Sequence, residues 1–246
     1  MSRCPEIRVM AVLACGLLVI SNPARAGDPD GKWQVRAGVT GVIFDDDVTS
    51  VKTSTGVDLQ SAQGADAKIG DVVVPTLTVT YFLTPNIAIE GICCTLQVKA
   101  EGTNGLEGAG DLVEAWVLPP AITAQYRFDR RAGFQPYVGA GFQWVHYWAD
   151  RGDNALGARS VDIDDSFGLV LQAGIDYALW NGWSLNLDVK KSWIDTTITW
   201  KDTVLAGGAD IEADLELDPL WVTASLGYRF NSDDLFGRRS QSDPLK

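Results

Sequence analysis

Residues 220–230 read Leu-Trp-Val-Thr-Ala-Ser-Leu-Gly-Tyr-Arg-Phe, and their alternation decides the fold. Leu220, Val222, Ala224, Leu226, Tyr228 and Phe230 are apolar or aromatic. Trp221, Thr223, Ser225, Gly227 and Arg229, interleaved with them, are mostly small or polar. A period of two belongs to a strand with two unlike faces. The apolar face ends in two aromatic rings, as at a membrane–water boundary. About ten residues of this kind let a tilted strand cross a bilayer.

Seven earlier stretches repeat the design: Trp33 to Phe44, Val72 to Phe82, Ile87 to Leu96, Val113 to Phe128, Tyr137 to Trp148, Ser166 to Tyr177 and Trp183 to Trp193. In the fourth, Pro119-Pro120 requires a bend or bulge, because neither residue has an N–H for a ladder. Thr84-Pro85-Asn86, Asp129 to Gly133 and Trp180-Asn181-Gly182 read as short turns. The other connections are longer and rich in Ser, Thr, Gly and Asp, so they read as loops. Lipid offers an open sheet edge no hydrogen-bond partner. The expected fold is therefore all-β: an eight-stranded antiparallel transmembrane β-barrel with short periplasmic turns and four longer extracellular loops. A soluble lipocalin-like barrel is the fold rival, and it requires the opposite pattern, apolar inside and polar outside.

The chain has 246 residues and a formal charge of −12. Residues 1–26 read as a secretory signal peptide, with Arg3 and Arg8 before the apolar run Val9 to Ile20 and an Ala24-Arg25-Ala26 cleavage site. The barrel is assigned to 27–230 and a polar tail, expected to be disordered, to 231–246. Of 20 Lys and Arg and 32 Asp and Glu, three Arg and one Glu precede the cleavage site, which leaves 17 and 31. This acidic balance argues against nucleic acid as a partner. Cys93 and Cys94 are adjacent and point to opposite faces of a strand, so they read as two packing residues rather than a disulfide or metal pair.

Several pieces together resemble the OmpW family of small Gram-negative outer-membrane proteins. They are Thr80-Tyr81-Phe82-Leu83-Thr84 with Asn86-Ile87-Ala88, Leu118-Pro119-Pro120 with Ala124-Gln125-Tyr126-Arg127-Phe128, and Pro136-Tyr137-Val138-Gly139-Ala140-Gly141. Further pieces are Gln172-Ala173-Gly174-Ile175-Asp176-Tyr177, Ile194-Asp195-Thr196-Thr197, and Leu217-Asp218-Pro219-Leu220-Trp221 with Gly227-Tyr228-Arg229-Phe230. The resemblance implies a barrel with a partly apolar lumen that admits small hydrophobic molecules across the outer membrane by passive transport and releases them sideways into the bilayer. It also implies a location in the outer membrane, contact with its lipid and lipopolysaccharide, and assembly by the barrel-assembly machinery, which reads a terminal aromatic. The residues after Phe230 depart from that pattern.

No catalytic or metal set is visible. The sole histidine, His146, has no ligand partner at metal spacing, and no serine has a base beside it. No cofactor is expected. Inward-facing charges form one candidate set, a lumen network of Arg36, Glu90, Arg127, Asp176, Asp188, Lys190 and Arg229. It reads as an ion-paired plug or as a polar floor beneath an apolar vestibule. Ile92, Cys94, Val170 and Trp221 are the inward apolar candidates for contact with a ligand. Trp144 and Trp193 near the long loops, and Tyr177, Tyr228 and Phe230 near the short turns, read as two membrane girdles. Two other function classes stand beside transport: a plugged structural or surface-interaction barrel whose extracellular loops bind partners, and a barrel enzyme acting on lipid. The latter lacks a clustered nucleophile.

Overall fold

The computed structural model describes residues 30–44, 47–55, 66–103, 111–151, 158–204 and 207–232. The signal segment, Asp45 and Asp46, and the tail from position 233 lie outside them. Among the described residues the chain forms β1 (Trp33–Ile43), β2 (Asp47–Thr53), β3 (Asp66–Ile69), β4 (Val72–Phe82) and β5 (Ile87–Cys93). There follow β6 (Leu96–Thr103), β7 (Asp111–Leu118), β8 (Ala121–Arg127), β9 (Phe134–Arg151) and β10 (Ser160–Ile163). The last five are β11 (Ser166–Ala178), β12 (Trp183–Trp193), β13 (Asp195–Thr203), β14 (Ala209–Glu216) and β15 (Leu220–Phe230).

Eight of these close on themselves. The order β1-β4-β5-β8-β9-β11-β12-β15 returns to β1, and every neighbouring pair is antiparallel. The register of β1 with β15 runs without a break from Trp33↔Phe230 to Ile43↔Leu220. Asn181 and Gly182 take positive φ (51° and 79°) in the turn between β11 and β12, the conformation an Asn-Gly hairpin needs.

The alternation in sequence has one physical outcome in this barrel: its greasy face is outside. Phe142 is 71% exposed, Leu169 58% and Leu187 59%, while Arg36, Glu90 and Arg127 are almost wholly covered. That arrangement excludes the lipocalin-like rival. Aromatic pairs mark both rims. Trp33–Tyr81, Phe134–Tyr177 and Trp183–Tyr228 ring centroids lie 4.7, 4.6 and 5.0 Å apart at the short-turn end. Trp116, Trp144, Trp148 and Trp193 face outward at the other end. Trp183 and Trp193 terminate the same strand. Ten steps of about 3.4 Å, tilted by about 40°, separate them by about 26 Å, which matches a hydrocarbon band.

Among the described residues the long extracellular connections carry strands of their own, which composition did not reveal. Most barrel strands continue past a short break as a second strand. Above the barrel β3, β6, β7 and the end of β9 make one sheet, and β10, β13, β14 and β2 make another. In β13 and β14 the two faces are reversed: Ile198, Trp200, Ile211, Ala213 and Leu215 are buried inside, while Glu212, Asp214 and Glu216 face out. Water rather than lipid surrounds this part, so the polar set turns outward. Composition obscures these strands because Thr, Asp and Glu supply their outer face. On this sheet Lys201 Nζ donates to Asp162 at 3.0 Å, and that bond raises the lysine above its ordinary pKa.

Candidate functional site: a plugged lumen beneath an apolar vestibule

The inward residues of the barrel form two layers. The lower is a salt-bridged plug, built because period-two strands place every second side chain in a lumen only wide enough for side chains. Arg36 on β1 is its centre. Its Nη1 donates to Glu90 at 2.6 Å and to Thr80 at 2.9 Å; its Nη2 donates to Asp176 at 2.9 Å and to Gln34 at 3.0 Å. Arg127 also pairs with Asp176, and its guanidinium lies 4.5 Å from the Tyr137 ring centroid. Lys190 pairs with Asp188 and reaches Glu90 at 3.2 Å. Three cations thus face three carboxylates, and the layer is neutral.

Neutral side chains complete the carboxylates' hydrogen bonding, as buried charges require. Gln172 donates to Glu90 and Asp188 at 2.8 and 2.7 Å, Gln125 to Glu90 at 2.8 Å, Tyr137 to Asp188 at 2.7 Å and Asn186 to Asp176 at 2.9 Å. Gly174 makes room for this: a Cβ there would stand 2.4 Å from the Tyr137 phenol. Above it, Thr40 bonds Thr76 and Thr223 at 2.6 and 2.8 Å, closing a step of hydroxyls between the layers.

Six of the seven predicted charges therefore meet in one network. Arg229 does not. It sits below, at the short-turn end, where Nε donates to the Gly31 carbonyl at 2.6 Å and the guanidinium stacks 3.6 Å from the Phe82 ring centroid. It makes no salt bridge among the described residues. Gln125, Gln172, Tyr137 and Asn186 escaped the sequence reading. Their inward position was legible from the alternation, but which carboxylate each would reach was not.

The upper layer is apolar. Phe44, Leu96, Val98, Ala115, Val117, Val145, Ile194, Ile198, Leu215, Leu217 and Trp221 surround a cavity of about 50 Å³ where the barrel passes into the outer sheets. Of the predicted ligand-facing residues, Trp221 lines this cavity and Cys94 packs in the same cluster. Ile92 and Val170 pack lower, with Ala121, in a separate small group.

The wall beside the vestibule is incomplete. β5 pairs with β8 as far as Ile92↔Ala121, and pairing resumes between β6 and β7 at Leu96↔Val117. Cys93, Cys94 and Thr95 face Leu118, Pro119 and Pro120 without a ladder between them. The prolines have no N–H to offer. Their carbonyls turn the other way, accepting from Gln143 Nε2 at 3.3 Å and Trp144 N at 3.0 Å, both on β9. The Pro-Pro strand is thus fastened to one neighbour and released from the other.

His146 faces outward between Trp144 and Trp148, and its Nδ1 lies 2.6 Å from Asp165 Oδ1. Trp144 Nε1 donates to the other oxygen of that carboxylate at 3.1 Å. Asp165 is a partner the sequence did not single out. Among the described residues no group of three His, Cys, Asp or Glu side chains could hold a metal ion.

A closed eight-stranded barrel with a lipid-facing apolar band, a salt-bridged floor and a greasy upper chamber defines an outer-membrane β-barrel protein. The family model described as OmpW family matches residues 29–230, and the chain belongs to that family. It is 32% identical to outer membrane protein W of Vibrio cholerae over 88% of this chain and 98% of that protein. It is 26% identical to the dibenzothiophene metabolism operon protein PahQ of Pseudomonas aeruginosa, over 87% and 95% of the two chains. Its fold matches the crystal structure of the outer membrane protein OprG from Pseudomonas aeruginosa with a TM-score of 0.74 at 25% identity, covering 85% of this chain and all of that one. The protein resides in the outer membrane, with the short turns periplasmic and the two upper sheets extracellular.

Proposed function

We propose that this barrel admits small hydrophobic molecules by passive transport, without covalent chemistry. A molecule enters from outside between the upper sheets, rests in the vestibule, and leaves sideways past Cys93–Thr95 and Leu118–Pro120 into the membrane. The observation that carries this reading is the juxtaposition of the apolar chamber with a stretch of adjoining wall, beside Pro119 and Pro120, where the ladder is interrupted. The neutral plug supports a lateral exit over an axial one: a hydrophobic solute gains nothing by displacing a buried network of five ion pairs. That one relative is named for a dibenzothiophene metabolism operon agrees with an apolar solute. The outward tryptophans are proposed to seat against lipid and lipopolysaccharide, and the aromatic-ended last strand to be read by the assembly machinery.

The test is uptake of an apolar dye into liposomes carrying the protein. Wild type should exceed empty liposomes, and Val117→Trp, which fills the chamber, should reduce the rate toward the empty-liposome value. A second reading rests on the chamber's size: about 50 Å³ is far below the several hundred Å³ of ordinary ligand pockets. On that reading the barrel is a closed structural or surface-interaction protein whose extracellular sheets bind partners. Dye uptake no faster than in empty liposomes would select it.

A further inference from the structure

Below the plug, at the periplasmic mouth, lies a second cavity of about 190 Å³. The polar side chains in its wall are of two kinds. Gln34 and Asp176 line it with their hydrogen bonds already committed: Gln34 donates to Ser184 and accepts from Arg36, and Asp176 is held by Arg36, Arg127 and Asn186. Arg229, Arg130 and Gln135 line it uncommitted. Arg229 spends its Nε on the Gly31 carbonyl, and neither Nη has a hydrogen-bond partner among the described residues. Its guanidinium is seated on Phe82, another wall residue, 3.6 Å from the ring centroid. Gln135 is 8% exposed, and its amide makes no hydrogen bond among the described residues.

A buried amide without a partner costs about 1–3 kcal/mol, so Gln135 calls for a cause. Arg229 and Arg130 call for one too, in a chain whose net charge is −12. Neither makes a salt bridge among the described residues. Arg127 and Arg130 repel Arg229, while Asp30 and Asp176 attract it from a distance without pairing with it. Because the plug above is neutral, the two arginines leave the pocket wall positive. An anion answers both observations. The paired Nη groups of a guanidinium match the two oxygens of a planar acid, and the Gln135 amide adds a third donor. A carboxylate suits the site better than a phosphate, because Asp176 shares the wall and a second ligand charge would face it. A neutral amide or alcohol would leave the arginines unanswered. The volume is below the roughly 300 Å³ at which ordinary ligand pockets begin, so the body must be small. Phe82 and Leu179 give it an apolar wall.

We propose that the periplasmic mouth is a binding site for small monocarboxylates. The carboxylate sits on Arg229 and Gln135, with Arg130 at the entrance and a short hydrocarbon body against Phe82 and Leu179. The site lies across the plug from the vestibule, so it stands or falls independently of the transport reading. The same group could come from the chain itself: Asp233 and Asp234, four and five residues beyond Arg229, lie outside the described residues.

The experiment uses the full-length barrel in nanodiscs with ¹⁵N-labelled glutamine. The Gln135 side-chain amide signal is assigned by its loss in Gln135→Leu. The probes are butyrate, butyramide and inorganic phosphate. Butyrate is expected to shift the Gln135 signal and to bind about tenfold more tightly than butyramide, equivalent to about 1.4 kcal/mol. Arg229→Gln should bring butyrate down to the butyramide level, with heat-modifiable gel migration confirming a folded barrel. Arg130→Gln, at an exposed turn position, should weaken butyrate about threefold without touching the barrel wall. Asp233→Asn/Asp234→Asn separates the two sources of the carboxylate: tighter butyrate binding assigns the chain's own aspartates as competitors for the site, and an unchanged affinity assigns a free acid. Equal binding of butyrate and butyramide, tighter binding of phosphate than of butyrate, or butyrate affinity unchanged in both arginine variants overturns the proposal.

Discussion

Glu90 is the residue through which the plug can be tested most sharply. It accepts from Arg36, Gln125 and Gln172 and is paired with Lys190, and only 1% of it is exposed. Glu90→Gln keeps shape and volume but leaves three cations facing two carboxylates. Breaking a buried pair by removing one partner typically costs 3–5 kcal/mol, because a charge is left uncompensated. With a urea slope of about 2 kcal/mol/M, the unfolding midpoint should fall by about 1.5–2.5 M. The assay is urea unfolding in lipid vesicles, followed by tryptophan fluorescence and gel migration. The control is the double variant Glu90→Gln/Lys190→Met, which restores two cations to two carboxylates. It should recover more than half of the loss, because the residues are coupled. If Glu90→Gln unfolds at the wild-type midpoint, or the double variant is worse than the sum of the singles, the lumen is not a dry, charge-balanced plug.

Other outcomes follow from the same structure. Leu171→Arg, on a lipid-facing side chain that is 54% exposed, should destabilise the barrel in bilayers by about 2–4 kcal/mol if it lies near the midplane; no change in the unfolding midpoint would refute a lipid-facing wall. Gly174→Ala drives a methyl into the Tyr137 ring and should cost about 1–3 kcal/mol as an overpacked site, read by the same unfolding assay. Ile198→Asp breaks the core of the outer sheet while leaving the barrel's own contacts intact. Limited proteolysis should then cut within 195–216 although heat-modifiable migration persists. Asp162→Asn should return the amine of Lys201 to ordinary lysine titration by NMR. The pair raises the folded pKa, so its contribution is present below the lysine range and lost only above it; unfolding midpoints at pH 7 and 8 should therefore agree.

The chain's own order of residues determined the barrel. Alternation in 220–230 and its seven counterparts specifies strands with one greasy face, and because a strand's side chains strictly alternate, that pattern also placed Arg36, Glu90 and Lys190 inside and Leu169 and Leu187 outside. The turn at Asn181-Gly182 and the break at Pro119-Pro120 were equally legible, since both follow from local backbone chemistry. Tertiary structure decided the rest. That β13 and β14 are strands rather than loop depends on a partner sheet across the lumen that shelters Ile198, Trp200 and Leu215. Which carboxylate meets which cation, and why Arg229 stands apart on Phe82, depend on the tilt and stagger with which eight strands close. These are contacts between residues far apart in the chain, and no local pattern encodes the distances between them.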